Sequence, residues 1–198
     1  MGLSIFWIRD LSEVTRDGGA IDALFKLKEQ GLVTAVGLAM GALDIMFPIL
    51  KAYPFDSLIS HNRFTLLNRS AGPMLDYAQK QSIAVFNAAP YAGGVLAKGS
   101  HDMPKITYQP ADAKQLKRIR VLEEICARHN IPLGSAALQF SLKGNRVTST
   151  IVGVSRPEGI EETLEWAALN IHEAALIELA QLFYDLDDPE ANRLYKSG

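Results

Sequence analysis

Five short β-branched runs, each followed by a segment of helical period, constrain this chain more than any single residue. They occupy residues 3–10, 33–40, 56–61, 83–89 and 147–154. Most are continuously apolar rather than alternating, as strands buried on both faces are, and the spacing predicts a parallel sheet covered by helices. Parallel strands joined through helices require right-handed crossovers, so the carboxyl ends of all five emerge at one edge. A functional site is expected at that edge.

The 198 residues, 48% of them hydrophobic and 21% charged, suffice for one good core, and a single domain over 1–198 is expected. A net charge of −2 and the absence of any basic run of five argue against nucleic acid as a partner. The nearest basic cluster, Lys114, Lys117, Arg118 and Arg120, reads as a solvated helix face. The single cysteine, Cys126, lies in a helical pattern with Leu122 and Ile125 and reads as a small buried hydrophobe. No apolar run reaches membrane-spanning length, and no basic region precedes the apolar start, so a cytoplasmic protein without a membrane partner is expected. No histidine has metal-ligand spacing with another donor.

Helical period places helices at 19–30, 43–53, 72–81, 112–129, 133–142, 157–169 and 172–186. Pro48 should kink or delimit the second of these. Ser70 reads as the cap of the third, with Pro73 in its first turn. Residues 90–111, leaving the carboxyl end of the fourth strand, read as one long loop, and loops of that length tend to be functional. The polar tail from residue 187 reads as frayed, with Leu194 and Tyr195 as its available anchors.

A closed (β/α)8 barrel typically needs about 250 residues and eight strands, and this chain has five strand candidates. The alternatives are an open doubly wound sheet or the second part of a barrel. Residues 9–19 read RDLSEVTRDGG, which is no dinucleotide-binding glycine fingerprint.

Four segments, each at a strand's carboxyl end, carry a family resemblance: GLVTAVGLAMG at 31–41, HNRFTLLNRS at 61–70, NAAPYAGGVLAKG at 87–99 and STIVGVSRPEGIEETL at 149–164. In order and spacing the chain resembles the latter part of the aldo-keto reductases, particularly the branch acting on sugars and related aldehydes. The resemblance implies an α/β chain supplying the latter five units of a TIM-barrel-like (β/α)8 fold, the first three strands being absent. It also implies a small-molecule carbonyl or sugar substrate and a nicotinamide cofactor, NADP or NAD.

The family's catalytic tyrosine, lysine and aspartate would then come from units ahead of Met1. Only the histidine position falls inside, and the matching residue is Arg9, which stays protonated and cannot carry a proton near neutral pH, though it can bind an oxyanion. A positioned acid is worth roughly 10²–10⁴-fold in such a reaction. Tyr91 is the best-placed substitute phenol, without a lysine expected close enough to lower its pKa. Function in this chain alone is therefore open between a fragment of an oxidoreductase, a non-catalytic nucleotide-binding or assembly module, and a truncated gene product.

On the cofactor side, Ala39, Met40 and Gly41 stand where the family has a small residue and an amide-binding asparagine. His61 and Asn62 match the pair that meets the nicotinamide carboxamide, although His61 equally suits a half-buried structural role. Pro90, Tyr91, Gly93, Gly94 and Lys98 are expected near the pyrophosphate, where glycines admit backbone amides and Lys98 adds charge; a plain Gly-Gly turn is the alternative. Gly153, Ser155 and Arg156 enter a helix whose amino terminus suits a phosphate, and Ser155 with Glu158 reads as a capping box. Glu162 matches the adenine-side acid, while Thr163 replaces the usual asparagine. The first and last strands would leave unpaired edges, which invite a homo-oligomer or closure by the carboxyl-terminal helix.

Overall fold

The computed structural model describes residues 11–39 and 41–191. The expected first strand, Arg9, Met40, Leu194 and Tyr195 lie outside the described residues. The described residues open with a short helix, α1 (Leu11–Thr15), followed by α2 (Ala20–Glu29), β1 (Gly37–Ala39), α3 (Leu43–Ala52), β2 (Ser57–His61), α4 (Gly72–Lys80) and β3 (Ala84–Ala88). After a single 3-10 turn at Ala92–Gly94 come α5 (Val95–Asp102) and a hairpin of β4 (Lys105–Ile106) and β5 (Gln109–Pro110). The remainder is α6 (Ala113–Arg128), α7 (Leu133–Leu142), β6 (Ser149–Ile151), α8 (Glu158–Ala168) and α9 (Glu173–Gln181).

The main sheet runs β1-β2-β3-β6, every pair parallel, with Leu38 beside Leu58, Leu58 beside Val85 and Asn87 beside Thr150. Chain order equals spatial order, so each helical crossover advances the sheet by one strand. The sheet's inner apolar positions and the helices of its first half form one core, with Met46, Leu58 and Leu75 wholly buried. A second core gathers Leu96, Ile119, Leu122, Ala136 and Leu179 from α5, α6, α7 and α9. Phe140 packs against both. Complete burial of each leucine is worth about 1.5–3 kcal/mol.

One ion pair ties the sheet to its first helix. Lys28 of α2 contacts Asp56 at 2.6 Å, and the same carboxylate accepts the Val36 N–H at 2.7 Å. Burial alone would raise the Asp56 pKa, but the Lys28 ammonium and the Val36 N–H outweigh it and hold the carboxyl below its ordinary value.

Several local expectations are corrected. Residues 90–111 are not one loop: they hold α5 and the hairpin, because Val95 and Leu96 are wholly buried in the second core. Pro48 neither ends nor splits α3; it sits on the exposed side, where the unpaired carbonyl one turn back can meet water. Ser70 is not the cap of α4, which starts after Ala71, because the Ser70 hydroxyl bonds the Asn68 side chain at 2.7 Å. The capping box at Ser155 does not form, since Pro157 already has helical angles and makes no side-chain cap. Among the described residues the last helix, α9, stops at Gln181 and packs on α6 and α7 rather than over a sheet edge. By contrast Asp112 and Gln115 make a reciprocal capping box that starts α6.

Candidate functional site

Both inner strands leave the sheet's carboxyl edge through left-handed residues: Asn62 (φ 59°) after β2 and Ala89 (φ 57°) after β3. Asparagine tolerates that region, whereas for alanine it costs of order 1–3 kcal/mol, a strain that concentrates at functional sites. The chain thereby turns sharply at the edge where the site is expected.

Between the connection that follows β3 and the one that follows β6 lies a cleft of about 290 Å³. Tyr91, Gly94, Lys98, Gly153, Ser155, Arg156 and Glu162 all line it, together with Gly159 and Thr163. Residues some sixty positions apart in sequence are thus brought to one opening, with a lysine on one wall and an arginine on the other. Ala97, within the segment expected here, also lines it, and so does Trp166, which the sequence did not point to. The Trp166 ring meets Tyr91 edge-on at 5.7 Å.

Two expected residues fall elsewhere. Pro90 is buried and does not line the cleft. At Gly93 (φ 80°) an added Cβ would stand 3.0 Å from the Thr107 nitrogen and 3.1 Å from that of Tyr108, so the glycine admits the hairpin rather than an anion. Burial raises the Tyr91 pKa, with the Thr163 hydroxyl opposing and the Glu162 charge assisting, so its phenol is a weaker acid than free tyrosine. Burial likewise pushes the Cys126 thiol up to about 11, in keeping with a packing role.

His61 and Asn62 sit at the end of β2, and their surroundings were not legible in the sequence. His61 Nδ1 lies 2.5 Å from Glu190 Oε1, and Asn62 Nδ2 donates to the same oxygen at 2.8 Å. The Tyr108 ring stacks on the imidazole at 6.5 Å, held out on a hairpin turn whose two central residues, Thr107 and Tyr108, both have positive φ. Asn62 is 1% exposed, and its Oδ1 has no hydrogen-bond partner among the described residues.

The polar segment that reads as a frayed tail is anchored as far as Glu190. Asp188 accepts from Arg63 Nε at 2.6 Å and from the Leu43 N–H at 2.8 Å; Asn68 donates to the Asp187 carbonyl at 2.8 Å. Arg63 is itself wholly buried and also donates to the carbonyls of His61 and Gly41. The cationic face of α6 is likewise not purely solvated, because Arg118 pairs with Asp185 at 2.5 Å. Lys114 and Arg118 line a second cavity of about 220 Å³, which Asn62 and Thr107 share. Among the described residues no group of three or more His, Cys, Asp or Glu is placed to hold a metal ion, and no helix is long and apolar enough to cross a membrane.

A parallel sheet in chain order, with a polar cleft between its strand-end loops, defines an α/β chain whose candidate site lies at the carboxyl edge. Residues 9–182 match the profile of the Aldo/keto reductase family, and the chain belongs to that family. It is 28% identical over 177 residues to pyridoxal 4-dehydrogenase of Microbacterium luteolum, covering 83% of this chain and 52% of that protein. It is 29% identical over 164 residues to D-threo-aldose 1-dehydrogenase of a Pseudomonas species, covering 82% and 50%. The chain therefore spans about half the length of these curated relatives. An aldo-keto reductase of Bacillus halodurans in its apo form superposes with a TM-score of 0.73 at 18% identity, over 97% of this chain and 65% of that one.

Proposed function

We propose that this chain carries the dinucleotide-binding half of an NAD(P)-dependent oxidoreductase that interconverts an aldehyde, ketone or sugar with its alcohol or lactone. The observation that carries the reading is the cleft itself, in which seven residues expected to meet the cofactor converge. Lys98 and Arg156 supply positive charge from opposite walls, and Gly94 (φ 109°) keeps backbone close to the opening. The orphaned Asn62 oxygen fits the same group, since a carboxamide offers the donor it lacks. When bound, the nicotinamide would supply or accept the hydride; this chain would hold the phosphates.

In this reading the chain forms one domain, representing the latter five units of a (β/α)8 barrel, and the catalytic tyrosine, lysine and aspartate belong to the three units it does not contain. The match, which spans 52% and 50% of the two relatives, supports this. Arg9 would take the family's histidine position. A cytoplasmic setting goes with the reading, because the single cysteine is a buried free thiol.

Titration of the purified chain with NADH, NADPH and ADP-ribose tests it. Saturable binding without turnover of aldoses is expected, and the double variant Lys98→Ala, Arg156→Ala should weaken ADP-ribose by about ten-fold or more, the scale of a lost charge-assisted hydrogen bond. No binding at millimolar nucleotide, or turnover by the chain alone, would overturn the reading.

We further propose that a second copy covers the β6 edge. Among the described residues β6 pairs only with β3, and Ile151 within it, Val154 after it, and Ile160 and Leu164 of α8 are 41–65% exposed. Exposed apolar side chains and an open strand edge both favour association. Light scattering at low micromolar concentration should show a dimer, and Ile160→Lys with Leu164→Lys should return it to monomer. A monodisperse wild-type monomer would sink this proposal.

A further inference from the structure

The segment from Asp185 to Glu190 lies along the connection after β2 like a strap. The Asp185 N–H donates to the Leu67 carbonyl at 2.8 Å, and the Arg69 N–H donates to the Asp185 carbonyl at 2.9 Å. Asp187 and Asp188 are held by Asn68 and Arg63 as described, and the Glu190 N–H donates back to the Asp188 carboxylate at 3.0 Å. Each anchor fixes the next, and the last side chain, Glu190, is delivered to His61 and Asn62.

Glu190 is 3% exposed, and a carboxylate so buried must be held by donors. His61 Nδ1 and Asn62 Nδ2 both converge on Oε1. A carboxylate, however, only accepts, whereas Asn62 presents a donor and an acceptor side by side. Its Nδ2 is satisfied and its Oδ1 is not. The occupant therefore matches half of what the asparagine offers, and a primary amide, with one C=O and one NH₂, would match all of it.

We propose that Glu190 is a built-in competitor for the amide group of the ligand, closing the nicotinamide end of the site while leaving the Lys98–Arg156 cleft open. The inference rests on the dinucleotide reading above. It makes Glu190 a determinant of specificity: the strapped chain takes ADP-ribose and the whole dinucleotide equally well, because the nicotinamide gains no contact.

The test compares NADH and ADP-ribose binding by calorimetry for the wild type, Glu190→Ala and Glu190→Gln, with circular dichroism confirming that each is folded. In Glu190→Ala, NADH should bind about ten-fold or more tightly while ADP-ribose is unchanged, the scale of hydrogen bonds to an opened amide site. Glutamine supplies the missing donor and holds the strap shut, so Glu190→Gln should bind NADH no better than the wild type. If ADP-ribose binds but Glu190→Ala leaves NADH unchanged, or if Glu190→Gln tightens NADH ten-fold as well, the inference falls and the dinucleotide reading stands. If neither nucleotide binds any of the three, both fall together.

Discussion

Replacing Arg63 with leucine is expected to cost about 3–5 kcal/mol of stability, the effect of stripping one partner from a buried ion pair. Arg63 has no exposed surface, and its guanidinium bonds Asp188 while donating to the His61 and Gly41 carbonyls. Leucine would fill part of the volume but leave Asp188, with an 11% exposed side chain, lacking its counter-charge, and two carbonyls lacking a donor. Against a typical total of about 5–15 kcal/mol, such a loss would be visible as a large drop in the urea midpoint. The double variant Arg63→Leu, Asp188→Leu should recover much of it, because replacing a buried pair by apolar groups is often neutral. A single variant within about 1 kcal/mol of the wild type would mean that the pair is solvated in solution and contributes little.

That pair also marks the boundary of what the sequence discloses. The strands at 56–61 and 83–89 are legible from the short apolar stretches at their centres, Leu58 with Ile59 and Ala84 with Val85 and Phe86, and the helix from Asp112 is legible because its capping box is local. Arg63 lies between His61, Asn62 and Phe64 with no neighbouring acid; its partner is more than a hundred residues away. The strap is opaque for the same reason, since Asp187, Asp188 and Glu190 form a polar stretch whose order comes wholly from tertiary contacts. Glycines at 93, 94 and 99 make the connection after β3 read as loop, yet two buried side chains outweigh them and form α5. Tyr108 on its turn could not be placed over His61 without the hairpin. The residues lining the cleft were legible through the family resemblance of the segments that follow β3 and β6, whereas Trp166 needed the packing of α8.

The packing of α8 is unusual enough to carry the second large effect. None of its residues is buried, so it cannot rest on the apolar face that normally docks a helix. Its attachment instead runs through α7. Ser135 Oγ donates to the Trp166 carbonyl at 2.8 Å, and Gln139 Nε2 donates to the carbonyls of Trp166 and Leu169 at 3.0 and 2.6 Å, satisfying the helix's terminal acceptors. The indole lies directly on Gly134, where an added Cβ would come within 2.2 Å of a ring carbon. Alanine at position 134 would raise helix propensity in α7 by about 1 kcal/mol, but the overlap displaces the ring and strains the three carbonyl contacts behind it, at about 1–3 kcal/mol. The overlap is expected to win. Gly134→Ala should therefore lower the urea midpoint, strip hydrogen-exchange protection selectively from residues 158–168, and weaken ADP-ribose, because Arg156 and Glu162 are carried into the cleft by the same unit. A variant more stable than the wild type, with α8 still protected, would show instead that the indole swings aside freely and that α8 is held by its carbonyl contacts alone.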